Sequence, residues 1–255
     1  MKQLTIAASN RDRFDLESNS TKLFLKSLEK QTNKNFEVVI ADGGSKNVEE
    51  IKDYFDSKDG ITMRVAECKL GEKFERARLN NVGVRNAKTP YAMTTDVDMF
   101  FAPQFIETLI GYLHPVLFIE SRTMYWKNPV AKRIYSGELD PYKDLESCKI
   151  GRIKKRTTAG GCQCAHIDQW NKVKGFDERY IGWGSEDYDL LTRMQKSGAK
   201  VFWLGESREQ IMVFHQPHQK NIQQEMEEQR LNQVHLRNIK EYCVNPEGWG
   251  GIKEV

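Results

Sequence analysis

"YAMTTDVDMFF", residues 91–101, sets two aspartates, Asp96 and Asp98, into a short apolar run. Residues i and i+2 of a strand share a face, so both carboxylates should point one way and Val97 the other. Two like charges side by side repel, which calls for a cation between them. Ligands of an open parallel sheet bind beyond the carboxyl ends of its strands. A strand ending in paired acids therefore predicts such a sheet, provided the flanking sequence supplies parallel partners.

It does. "LTIAAS" (4–9), "FEVVIA" (36–41) and "ITMRVAE" (61–67) read as strands ahead of "YAMTT" (91–95). "TKLFLKSLEKQ" (21–31), "VEEIKDYF" (48–55) and "FERARLNNVGVRNA" (74–87) read as the helices between them. Such alternation predicts an α/β fold with a mostly parallel sheet covered by helices. The helix "QFIETLIGYL" (104–113) and the strand "VLFIES" (116–121) follow. Periodicity then fades to about residue 156, ending in the basic run "KIGRIKKR" (149–156). That run reads as a solvated loop, or as a contact for an acidic or phosphate-bearing partner such as a membrane surface. Regular signals return with helices at 168–173 and 186–198 and strands near 200–204 and 210–215. A charged amphipathic helix covers 222–242. With no linker or internal repeat, residues 1–255 read as a single domain.

The chain carries 39 Lys and Arg against 36 acids, a formal charge of +3, too balanced for a dedicated nucleic-acid binder. No apolar run reaches the ~18 residues of a membrane span, and the amino terminus lacks a signal-peptide core. The expectation is a cytoplasmic protein, with residues 149–156 able to touch the inner face of a membrane. The five cysteines read as reduced thiols, because the C-x-C pair Cys162 and Cys164 has no second pair to complete a zinc set.

Three strands run into polar residues: Ser9-Asn10-Arg11, Asp42-Gly43-Gly44-Ser45 and Asp96-Val97-Asp98. In a parallel sheet these ends share one edge, as a nucleotide and metal site requires. A hard divalent cation would neutralise the aspartate pair and bridge to a diphosphate. The alternative is that Asp98 caps the helix near Pro103. In "GWGSED" (182–187), Ser185 reads as an N-cap with Glu186 and Asp187 in the first helical turn. The helix dipole explains those acids, but not the tryptophan between two glycines ahead of them. An indole face beside a carboxylate is what a sugar site needs, and the dipole would keep Asp187 ionised as a base. In "MVFHQPH" (212–218), His215 reads as an edge histidine, or as a ligand if the chain folds it back to the aspartates. A mixed oxygen and imidazole set suits manganese better than calcium.

These motifs resemble the GT-A glycosyltransferases, above all family 2 and the galactosyltransferase-like carboxyl half of chondroitin-polymerase-type enzymes. The likeness runs over residues 3–218. It is carried by "SLEKQTNKNFEVVIADGGS", "RARLNNVGVRNA", "TTDVDMFF", "GFDERYIGWGSEDYDLLTRMQKSG" and "FHQPH". It implies a Rossmann-like GT-A sheet, with a nucleotide-binding half (1–100), an acceptor and metal-completing half (101–218) and a helical tail (219–255). Asp98 would bind Mn2+ or Mg2+, Asp96 would hold the ribose or assist the metal, and His215 would complete the set. Asp187 would be the general base and Glu186 would hold a sugar hydroxyl. Trp183 and Gly182 would line the acceptor site. Asn10, Asp42 and Arg78 would contact the nucleotide, with Arg76 nearly as good as Arg78. Gly43 stands where relatives carry a uracil-reading acid, leaving Asp42 or backbone groups for that job.

The implied activity is metal-dependent transfer from a nucleoside-diphosphate sugar, UDP-linked by expectation, to a glycan hydroxyl with inversion. A retaining GT-A transferase is one rival. A nucleotidyltransferase is a second, though "AASNRDRFD" offers no glycine-lysine phosphate loop. An inactive carbohydrate-binding GT-A domain is a third.

Overall fold

The computed structural model describes residues 2–56, 61–71, 74–153, 160–182, 184–218, 222–238 and 241–253. The first part alternates β1 (Leu4–Asn10), α1 (Asn19–Glu29), β2 (Phe36–Asp42), α2 (Val48–Asp56), β3 (Thr62–Glu67), α3 (Arg76–Arg85) and β4 (Tyr91–Asp96). Next come β5 (Met99–Phe101), α4 (Phe105–Gly111), β6 (Leu117–Ser121), β7 (Thr123–Trp126), α5 (Asn128–Tyr135), α6 (Leu145–Cys148) and β8 (Gly151–Ile153). The rest holds β9 (Gln163–His166), α7 (Ile167–Val173), α8 (Glu186–Lys196), β10 (Lys200–Leu204), β11 (Val213–His215) and α9 (Ile222–Asn238). A small ribbon, β12 (Gly248–Trp249) with β13 (Ile252–Lys253), follows. Among the described residues no helix is long and apolar enough to cross a membrane.

Seven strands form the main sheet in the order β10-β6-β9-β4-β1-β2-β3. Every pair is parallel except those of β9, which runs antiparallel to both β4 and β6. The period-2 alternation of β1 feeds two core layers. Leu4, Ile6 and Ala8 pack with Phe24 and Leu28 of α1, while Ala7 faces Ala77, Trp170 and Leu190 on the other side. The register sets Asn10 beside Asp42 and Ser9 beside Asp96, so the three polar strand ends do share one edge. Gly83 lets α3 lie close on β1, for a methyl there would stand 2.7 Å from the Ala7 Cβ. That approach brings the amino end of α3 to the same edge.

The segment read as unpatterned, 122–156, is ordered over its described part. It supplies β7, α5, α6 and β8, and β7 and β8 join β5 and β11 in a second sheet, β5-β11-β7-β8. Phe100, Met124, Trp126, Val130, Ile134 and Phe214 form the core beneath that sheet. The chain leaves β4 at Asp96 and turns through Val97 and Asp98 into β5. The expectation that both aspartates extend from one strand face is thereby corrected.

Candidate active site

Because the turn separates them, the two aspartates meet different cations. Asp96 meets Arg76, the first residue of α3: Nε donates to Oδ1 at 2.9 Å and Nη2 to Oδ2 at 3.2 Å. The same guanidinium reaches the first turn of α8, where Nη1 donates to Glu186 Oε1 at 2.9 Å and Asp187 Oδ1 at 3.0 Å. Arg76 is buried, and its planar fork ties the end of β4 to the first turn of α8. Burial works against its charge, but Asp187, Asp96 and Glu186 outweigh that and raise its pKa well above normal. Burial likewise opposes ionisation of Asp96, yet Arg76 holds that carboxyl well below the usual range. Glu186 goes the other way: burial first, then the charge of Asp187, pushes it up to about 7 against the pull of Arg76.

Ser185 is the N-cap of α8, as the sequence reading has it, but it sits in a left-handed conformation (φ 76°) and its side chain makes no capping hydrogen bond. The acids of α8 are held from outside the helix. Gly160 packs so tightly on Asp187 that a Cβ there would lie 2.1 Å from Oδ2, and its φ of 110° suits glycine alone. The Gln163 side chain donates to the backbone carbonyl of Asp187 at 3.3 Å and to buried Glu120 at 2.5 Å.

Asp98 faces two imidazoles. His215 Nε2 lies 3.6 Å from Oδ1, and His218 Nε2 lies 3.6 Å from Oδ2. One ligand atom from each of Asp98, His215 and His218 falls within 4.8 Å of the others. Oδ1 of Asp98 is buried and accepts no hydrogen bond from the described residues, so it is open to a cation. One carboxylate with two imidazoles fits a divalent ion such as manganese. His215 is seated by Tyr125 of β7, their rings stacked at 4.7 Å. Asp98 caps no helix, since α4 begins after Gln104 without a side-chain cap.

Several expected roles move. Asp96 is outside the group that could hold a metal, its carboxylate bonded to Arg76 and Ser9. Asn10 and Asp42 are committed to each other and to their loops. Asp42 accepts from Asn10 Nδ2, the amides of Gly44 and Ser45, and the Ser45 hydroxyl. Asn10 Oδ1 accepts from the amides of Arg13 and Phe14. Neither lines the cavity; both fix the loop that carries Arg11, Asp12 and Arg13 into it. Arg78 pairs with Glu75 and Glu178 away from the cavity, and of the two arginines Arg76 is the one that lines it. Trp183 lies outside the described residues, as do Lys154, Lys155 and Arg156 of the basic run. Lys149 of that run is buried and bonded to Glu146, while Arg152 stacks over Tyr125.

The result is one cavity of about 670 Å³. Arg11, Arg13, His215 and His218 line it together with Arg76, Asp96, Glu186 and Asp187. Gly182 and, from α9, Gln224, Glu225 and Glu228 also line it. Sequence reasoning passed over Arg13 and His218, although "FHQPH" displayed the second histidine.

Residues 16–116 match the family model described as Glycosyl transferase family 2. Residues 144–219 match the one described as N-terminal domain of galactosyltransferase. Chondroitin synthase of Escherichia coli is 26% identical over 215 residues, which is 71% of this chain and 30% of that protein. Beta-1,4-galactosyltransferase 5 of Homo sapiens is 30% identical over 131 residues, covering 51% of this chain and 28% of that one. The chain thus spans about a third of the length of these relatives. Among solved structures, S. aureus TarS 1–349 in complex with UDP-GlcNAc superposes with a TM-score of 0.60 at 17% identity, over 94% of this chain and 68% of that one. A family 2 match over residues 16–116 and a galactosyltransferase match over residues 144–219, on a fold shared with TarS, support a GT-A glycosyltransferase of the chondroitin-polymerase type.

Proposed function

We propose that the chain transfers a sugar from a UDP-sugar to a glycan hydroxyl, with a divalent metal and with inversion at the anomeric carbon. One observation carries this reading: Arg76 joins Asp96 at the nucleotide edge of the sheet to Glu186 and Asp187 on α8, in a cavity also lined by His215 and His218, which face Asp98. The UDP-GlcNAc complex of TarS supports a uridine donor, and the names of the curated relatives support a glycan acceptor.

In this reading Asp187 accepts the proton of the acceptor hydroxyl as it attacks the anomeric carbon from the face opposite the diphosphate. Arg76 fixes the orientation of that carboxylate, and Gly160 leaves it room. Glu186, pushed toward its protonated form, can donate a hydrogen bond to a sugar oxygen. A manganese ion held by Asp98, His215 and His218 would stabilise the negative charge of the departing diphosphate. Gly182, with Trp183 beside it, would meet the acceptor. Residues 1–255 would act as one transferase domain.

The test is release of UDP from a panel of UDP-sugars with simple oligosaccharide acceptors, with and without chelator, and NMR of the product. The expected result is manganese-dependent release and an inverted anomeric centre. Full turnover in excess chelator would remove the metal from the reaction, and a retained centre would remove Asp187 as its base.

A further inference from the structure

Arg13 sits where a metal would compete with it. Its Nη1 is 3.2 Å from Asp98 Oδ2, the oxygen that His218 Nε2 faces at 3.6 Å. An ion shared by that oxygen and that imidazole would stand beside the guanidinium, and two cations cannot both keep one carboxylate oxygen without strong repulsion.

Of the two, Arg13 is built to leave. Its side chain is 47% exposed, against 7% for Asp98. Its backbone is anchored: the amides of Arg13 and Phe14 donate to Asn10 Oδ1, and Phe14 is buried. The stem is fixed, while the half-exposed guanidinium reaches into the cavity. The other arginines there are tied differently, Arg152 lying over the Tyr125 ring. Arg76 is buried and bonded to carboxylates on two elements, and Arg11 Nη1 donates to the Gly71 carbonyl at 2.8 Å.

We propose that Arg13 is an exchangeable counter-cation, neutralising Asp98 before a divalent ion binds and turning to the donor diphosphate once the ion has taken its place. Arg13 is then a binding residue for the diphosphate, and its competition with the metal couples metal entry to nucleotide entry. This rests on the reading of Asp98, His215 and His218 as metal ligands.

The coupling gives two effects of opposite sign. Arg13→Gln should tighten binding of manganese alone, followed by the electron paramagnetic resonance of the free ion, by about fivefold to tenfold. With manganese saturating, the same variant should bind UDP about tenfold more weakly by calorimetry, having lost a charge-assisted contact. Arg13→Lys keeps a cation and should stay near the parent in manganese binding. Arg11→Gln, which removes an equal charge from the same cavity, should weaken UDP without tightening manganese. Unchanged or weaker manganese binding in Arg13→Gln would overturn the exchange, as would equal tightening in Arg11→Gln. If the parental protein binds no manganese, the metal reading and the exchange fall together. If the parent binds it and Arg13→Gln does not tighten it, only the exchange falls.

Discussion

A guanidinium buried among Asp96, Glu186 and Asp187 stabilises the fold only as a partner to those acids. Breaking such a set from one side leaves charges without compensation. Arg76→Met should therefore cost about 3–5 kcal/mol in urea unfolding, far more than an exposed arginine would. Arg76→Lys should recover part of that and none of the paired hydrogen bonds to Asp96. Glu186 supplies a pH signature. Its folded pKa of about 7 stands above its ordinary value of 4.5, so the folded state binds its proton more tightly and loses stability as pH rises between those values. Glu186→Gln should gain stability relative to the parent on going from pH 5 to pH 7.5; a difference that does not change with pH would contradict the assignment. The acids at this site were legible in "DVD" and "WGSED", but the choice between Arg76 and Arg78 was not. Two residues on a helix point about 200° apart, and sequence alone does not fix the phase at which α3 meets the sheet. Nor could it show that Asn10 and Asp42 would spend their polar atoms on their own loops.

At the level of elements, the parallel strands and their helices could be read because each buried strand is a continuous apolar run between turn signals. β9 escaped because its four residues, Gln163–His166, carry no alternation; only the strands on either side of it define it. β7 was missed for the same reason, being recruited by β11 from far along the chain. The omission matters for function, because Tyr125 on β7 seats His215. The small sheet rests on Phe100, whose ring lies 5.3 Å from Trp126, 5.5 Å from Tyr142 and 5.8 Å from Phe214. Phe100→Ala should cost about 3–5 kcal/mol by urea denaturation and weaken manganese binding, since β5 follows Asp98 directly and β11 ends on His215 of the proposed metal site. Loss of stability with unchanged manganese affinity would show that the histidines are held by other means.

The molecule as a whole brings two parts of the chain to one cavity. The amino-terminal part supplies Arg13, Arg76 and Asp96, the later part supplies Glu186, Asp187, His215 and His218, and Asp98 faces the two histidines. A ligand bound there stabilises the folded chain by mass action. UDP with manganese at a hundredfold excess over its dissociation constant should add about 2.7 kcal/mol to unfolding, and chelator should remove the gain.

The central claim is that Asp187 takes the acceptor proton, and the most direct measurement compares Asp187→Asn with the parent in both transfer rate and UDP–manganese affinity. Asparagine keeps the shape and much of the hydrogen bonding but cannot accept the proton. Transfer should fall by about a hundredfold or more, the range expected for losing acid–base assistance. Donor affinity should stay near the parental value, because the cluster of Asp98, His215, His218 and Arg13 does not include Asp187. A folded Asp187→Asn protein that transfers sugar at the parental rate would contradict the account.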